Sequence, residues 1–600
     1  MKQILIFISL LLLSISSFSQ VKNSYTISFE NVAHHEAKIT ATFSNLQPGK
    51  VVLQMAKKSP GSYGSYNFSQ NIYNLKITGG NGKDLKTTQI SLNEWEVNDH
   101  DGEIRVNYNL FGDTADGVFS QFSEDQTIIN NPASFIYIEA LESRPVELTY
   151  YNREDLGWKI ATQLEDKGAN TYEAKDLQEF MDSPTLLANF KLKERTIEAG
   201  SKQFKLKLAI NDNSNDQLSE DLFDKIANVI SEQQKVFGSF PNFDYDSYTF
   251  MASYAPYTGT NTIEHKNSSL ILNSKPLSEI EVTSSLKMLS EMFLKTWNKT
   301  RITPISLKPF DLQKNTLTQE YWFAEGFSSY YALLTMCRAG IISHDKFLEE
   351  ASFIVNDVIT SSALQYNNTL EMSEQALFFA KNSINNTSLN ALNLYIPYKD
   401  HGFVIALILD LELRNKDELN LDNFMSLFWS KYGKTNIGYS IENIYATLRE
   451  YAGDSFAEKF FKENISEPTI YDPSKLLESV GVSTTLVELP YLGAEIVFNN
   501  DDLAEVSKYT IPGTPAYIGG LEKRDIIISI NNRSFSNLTQ LKNAIAQEKI
   551  GKKVIVKYSR NGIEKSTEIK LTPNPYLILT SLFKIGSSTA DRKRAWIGEE

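Results

Sequence analysis

Ser284–Asn298, SSLKMLSEMFLKTWN, and Tyr321–Tyr331, YWFAEGFSSYY, are the two stretches whose reading decides the fold. Trp297, Trp322, Phe323 and Phe327 fall at helical spacing and read as core. Glu291 and Lys295 stand four apart with the acid first, the favourable order for an ion pair on one helix face. Helical periodicity runs from Leu277 to about Phe461, broken by the Asn-rich NSINNTSLN, so both stretches belong to one mainly helical region.

Upstream, from Lys22 to Arg195, short alternating segments such as YTISFEN, KITATFSNL, EIRVNYNL and PVELTYY are separated by Gly, Asn and Asp turns. This is the period of an antiparallel β-sandwich. Its many Tyr, Ser and Asn residues are read as packing, with a carbohydrate or protein surface as the other use. Leu218, Leu222, Ile226 and Ile230 then mark a helix, strand-like YTFMASY follows, and APYTGTNTIEHKNSSLIL reads as a loop.

A net charge of -14 argues against nucleic acid or anionic lipid as partner, because both would repel such a surface. Lys2, the run ILIFISLLLL and the small residues up to Ser19 form a secretory signal peptide, too short an apolar run to span a bilayer. The expected location is therefore periplasmic or secreted, with no membrane span after cleavage. The single Cys337 leaves no internal disulfide, so stability must come from the cores.

Near the C-terminus, YLGAEIVF, IPGTPAYIGGLEKRDIIISINNRSF, the helix NLTQLKNAIAQE and a final hairpin follow in an order that resembles a bacterial-type PDZ domain. The resemblance implies that peptide or protein C-termini add as a strand beside a carboxylate-binding loop at Tyr491, Leu492, Gly493 and Ala494. Arg524 stands where such domains usually have glycine.

The run TWNKTRITPISLKPFD followed by YWFAEGFSSYYALLTMCRAGI is similar to the glycyl aminopeptidase family of zinc metallopeptidases. The resemblance implies a multidomain α+β chain. Its expected parts are a signal peptide (1–19), an N-terminal β-sandwich (20–200), a thermolysin-like middle domain (201–485), a PDZ domain (486–575) and a tail (576–600).

In that family an H-E-x-x-H helix precedes Thr-Trp-Asn, and the Glu of W-x-A-E-G-F is the third zinc ligand. Histidines four apart share a helix face and bind the metal, while the Glu between them takes a proton from the bound water. Here the ligand, base and ligand positions hold Glu291, Met292 and Lys295, and only Glu325 matches. No two of the six histidines stand four apart. A thioether is no base and an ammonium no ligand.

No metal or other cofactor is therefore expected, and the chain reads as a catalytically inactive homologue that binds peptides. The alternative is an active aminopeptidase or other hydrolase with an atypical site. Either Lys295 replaces the metal electrostatically, pairing with Glu291 and Glu325, or all three are ordinary solvated charges. Glu264 and His265 match the family's G-G-x-E-H, where the Glu can hold a substrate's amino group, but Asn261 and Thr262 replace the glycines. His265 by itself reads as a hydrogen-bonded structural histidine. Tyr398 matches an oxyanion-stabilising tyrosine, or is a packed aromatic at a helix start. His344 and His401 read as surface residues.

Overall fold

The computed structural model describes residues 20–200, 202–379, 395–416, 419–469 and 471–599. The signal-peptide residues 1–19 lie outside them.

Strand alternation builds the N-terminal domain as expected. Asn23–Ser28 lies within a seven-stranded sheet, antiparallel to Glu36–Phe43, and buries Tyr25 and Ile27 while Ser24 and Thr26 stay half-exposed. Four- and three-stranded sheets complete the layers around one apolar core. One departure from an all-antiparallel pattern is the parallel pairing of Asn23–Ser28 with Val146–Tyr151. Parallel neighbours need a long crossover, and the residues between them supply it.

The middle domain starts on a five-stranded mixed sheet whose first strand is Lys191–Ala199, so its sheet begins ahead of residue 201. Helix α1 (Asp216–Phe237) crosses between the parallel strands Lys202–Asn211 and Ser247–Tyr254. The segment read as a loop around Glu264 is instead a strand, Asn261–Glu264, paired with Ser268–Asn273 at the sheet edge. The turn is closed by the His265 amide donating to the Ser268 carbonyl at 2.9 Å. A seam of Ile128, Leu186, Ala188, Met251, Leu270 and Leu272 joins the two domains.

Helix α2 (Val282–Leu294) packs against this sheet, α3 (Phe327–Arg338) packs on α2, α5 (Tyr398–Arg414) on α3, and α4 (His344–Ile359) on α5. Trp297, Trp322, Phe323 and Phe327 lie in the core, Trp297 stacked on Phe237 with centroids 5.0 Å apart. The surface reading of His344 and His401 is corrected, since both are buried. A helix start predicts exposure only when its helix has a solvent face. That of α5 is covered, and His401 shares a hydrogen bond with the Tyr471 hydroxyl at 2.9 Å.

The C-terminal PDZ domain has its own core and a five-stranded sheet running from Ile496–Phe498 at one edge to Ile563–Lys570 at the other, with helix α6 (Leu538–Ala546). Arg524 takes the left-handed conformation at φ 74°, the geometry for which glycine is usual. The last residues fold back onto the middle domain. Leu577–Ser581 pairs with Val482–Leu486, and helix α7 (Ser587–Ile597) packs on α3. Trp596 is fully buried, its indole N–H donating to the Tyr330 hydroxyl at 2.8 Å. None of the described helices is long and apolar enough to cross a membrane.

Candidate functional site

The site forms where the C-terminal end of α2 meets the turn before α3. Asn298 fixes that junction: its side-chain amide donates to the Phe323 and Ala324 carbonyls at 2.9 and 3.1 Å, and Ser328 donates back to its carbonyl at 3.0 Å. The turn itself, Trp322–Gly326, is a π-helical widening that carries Glu325. On the far side Gly326 faces Gly402 of α5 so closely that a Cβ on Gly326 would lie 2.2 Å from the Gly402 Cα. Only glycine permits that crossing, and the crossing holds Glu325 in place.

At the end of α2 the Lys295 ammonium stands 2.8 Å from Glu325 Oε2, 3.2 Å from Glu264 Oε2 and 3.5 Å from Glu291 Oε1. Beyond the end of the helix, Lys299 lies 2.7 Å from Glu325 Oε1 and also pairs with Glu264. Lys399 closes the other end, 2.6 Å from Glu291 Oε2. Three carboxylates thus meet three ammonium groups. Lys295 side-chain exposure is 8 % and that of Glu264 and Glu325 is 4 %, so these are not solvated surface charges.

A further contributor comes from the N-terminal domain. Tyr63 donates its hydroxyl to Glu325, accepts from Lys299 at 2.6 Å, and has the Lys299 ammonium 4.5 Å from its ring centroid. Its ring packs on Tyr321 and Tyr398, 4.6 and 5.5 Å between centroids. Tyr398 thereby sits in an aromatic wall at the start of α5.

Burial by itself raises the carboxyl pKa of Glu325, but the Lys295 and Lys299 charges outweigh it and hold Glu325 well below the usual range. Glu291 is likewise lowered, burial being overcome by Lys399 and Lys295. Burial disfavours charge on Lys295, yet Glu264, Glu325 and Glu291 push it well above the ordinary lysine value. Burial, then the neighbouring carboxylate Glu325, pushes the Tyr63 and Tyr398 hydroxyls well up. These five groups are therefore locked in one protonation state near neutral pH, and none of them is poised as a general acid or base.

Zinc does not fit this donor set. Both oxygens of Glu325 are engaged by ammonium groups, and Met292, at the base position, lies in the apolar core. Among the described residues no group of three His, Cys, Asp or Glu side chains is placed to hold a metal ion. His265 is buried beside the cluster, its Nδ1 3.0 Å from Asp182 Oδ1.

Beside the cluster a cavity of about 370 Å³ opens between the two domains, lined by Tyr63, Glu264, Lys299 and Tyr321 on the cluster side and by Lys58 and Lys308 farther out. In the PDZ domain Leu492 is buried, and Gly493 takes φ 80° against Thr514, where a Cβ would lie 2.7 Å from the Thr514 Cβ. The Ile496–Phe498 edge strand follows this loop and packs near α6.

Tyr63, Lys299, Lys399 and Lys58 were not singled out in the sequence. Lys299 had a signal, four residues beyond Lys295 on the same helical spacing. Tyr63 had none, standing 262 residues from Glu325.

Comparison with known proteins accords with this architecture. Residues 24–189 match the Peptidase M61 N-terminal domain, 284–405 the M61 glycyl aminopeptidase domain and 490–571 a PDZ domain. No curated protein matches the chain. Among solved structures, an aminopeptidase N family protein from Idiomarina loihiensis is similar over 96% of this chain and 100% of its own, at 21% identity and a TM-score of 0.83. An M1 zinc metallopeptidase from Deinococcus radiodurans is similar over 76% of this chain and 95% of its own, at 11% identity and a TM-score of 0.42.

Proposed function

We propose that this chain, a member of the M61 glycyl aminopeptidase family, is an exported pseudo-peptidase that binds peptides or protein C-termini instead of cleaving them. One observation carries the reading: the Lys295 ammonium occupies the second ligand position and lies 2.8 to 3.5 Å from Glu325, Glu264 and Glu291. A divalent cation there would have to displace a buried charge from three carboxylates, and it would leave Lys299 beside the one matching ligand. The cavity between the domains and the PDZ edge strand remain as peptide-sized binding places. Export rests on the apolar run after Lys2.

The test is peptide hydrolysis by the purified full chain with zinc and with a chelator. No turnover above the blank is expected; turnover that the chelator abolishes refutes the proposal. As a positive control, Glu291→His, Met292→Glu and Lys295→His rebuild the family motif. Lys299 also needs replacement, because it still neutralises Glu325 in the triple variant.

A further inference from the structure

In this family resemblance, Glu264 is the group that would hold a ligand's amino terminus. Here both of its oxygens are already paired, Oε2 with Lys295 and Oε1 with Lys299. The other carboxylates lining the cavity are also engaged by the chain. Asp182 accepts from the His265 ring and the Lys266 amide, Asp176 from the Glu179 amide, Glu179 from the Lys175 amide, and Asp311 from the Gln313 and Lys314 amides.

Two lysines of the same cavity differ. Lys58, 5 % exposed, donates to the Tyr63 carbonyl at 3.0 Å and the Asn315 side-chain carbonyl at 2.7 Å. Lys308 donates to the Asn436 carbonyl and side-chain oxygen at 3.2 and 2.8 Å. These acceptors are neutral, and an ammonium has three protons to give. Six lysines face five carboxylates around the cavity, within a chain of net charge -14.

We infer that the cavity selects a carboxylate over an amino group, seating an acidic side chain of a bound peptide against Lys58 with Lys308 as a second positive charge. Burial lowers the Lys58 pKa to about 8 and outweighs the charge of Asp311, which acts to raise it. The inference rests on the proposed peptide-binding reading and names its ligand class.

Calorimetric titration of the full chain with acetyl-Ala-Glu-Ala-amide and acetyl-Ala-Gln-Ala-amide tests it. The amidated ends deny the PDZ domain a terminal carboxylate. The Glu peptide should bind roughly tenfold or more tightly than the Gln peptide, and Lys58→Met should remove that difference. The free-amine peptide Ala-Gln-Ala-amide should bind no better than its acetylated form. Equal binding of the Glu and Gln peptides, or preference for the free amine, overturns the inference while leaving peptide binding intact. Absence of binding by all three overturns the inference and the cavity as a peptide site, leaving the PDZ edge strand as the binding place; hydrolysis of the free-amine peptide overturns the pseudo-peptidase reading as well. The peptide comparison needs no variant, so a misfolded Lys58→Met chain does not remove the test; Lys308→Met gives a second chain in which the preference should shrink.

Discussion

Lys295 is held by three carboxylates at once, and its removal leaves three buried carboxylates with two ammonium groups, Lys299 and Lys399. Lys295→Ala should cost about 3–5 kcal/mol, as when one partner of a buried pair is lost, measured by urea unfolding. A cost of under about 1 kcal/mol would place these charges with exposed pairs. The pH dependence follows from the directions of the shifts. Glu325 and Glu291 have lowered folded values, so their stabilisation is present above the unfolded value of about 4.3 and is lost as pH falls through the folded values. Lys295 is raised, so its share is present below about 10.4 and is lost as pH rises beyond that.

His401 fills the window between. Burial lowers it to about 4, so the folded chain binds fewer protons than the unfolded chain between about pH 6.5 and 4, and stability falls as pH falls through that range. The loss should reach about 3 kcal/mol, and His401→Phe should flatten it in urea titrations at several pH values. An unchanged slope in the variant would show that other groups carry it. The ion-pair order of Glu291 and Lys295 and the match of Glu325 were legible in the sequence because they are local. The burial of His401 was not, because it depends on what packs around α5.

At the scale of elements, the π turn and α5 cross at Gly326 and Gly402. A Cβ on Gly402 would lie 2.0 Å from the Trp322 carbonyl oxygen, so either glycine changed to alanine must push two backbones apart. Gly326→Ala and Gly402→Ala should each cost about 3 kcal/mol or more, by thermal or urea unfolding, and should disturb the Lys295 cluster. A neutral alanine would mean the helices slide freely. The pattern W-F-A-E-G-F marked the helix in the sequence, but not the widened turn that aims Glu325. A π turn arises from packing, and its residues have no period of their own. The Glu264 strand was misread as a loop for a related reason: four residues flanked by polar turns carry too short an alternation to show.

Across the whole molecule, three sequence regions gave three cores, since strand period, helix period and turn residues are all local signals. What escaped the sequence lies between regions. Tyr63 reaches the cluster from the N-terminal domain, and the terminal segment, expected as a plain tail, closes on α3 beyond the PDZ domain. The Arg338 guanidinium donates to the Trp596 carbonyl at 2.8 Å and Arg414 to the Ala595 carbonyl at 3.0 Å, clamping α7. Trp596→Ala should therefore destabilise the middle domain by about 3–5 kcal/mol, seen as an earlier calorimetric transition with the PDZ transition unmoved. A shift confined to the PDZ domain would contradict the clamp.

The site as a whole is a neutral lattice of three lysines and three glutamates, joined to the N-terminal domain through Tyr63, where the family motif would place zinc ligands. Zinc stoichiometry of the purified full chain, equilibrated with excess zinc and then desalted, tests this most directly. The expected result is substoichiometric zinc and a melting temperature unchanged by metal or chelator. One zinc per chain, removed by chelator together with part of the stability, would contradict it.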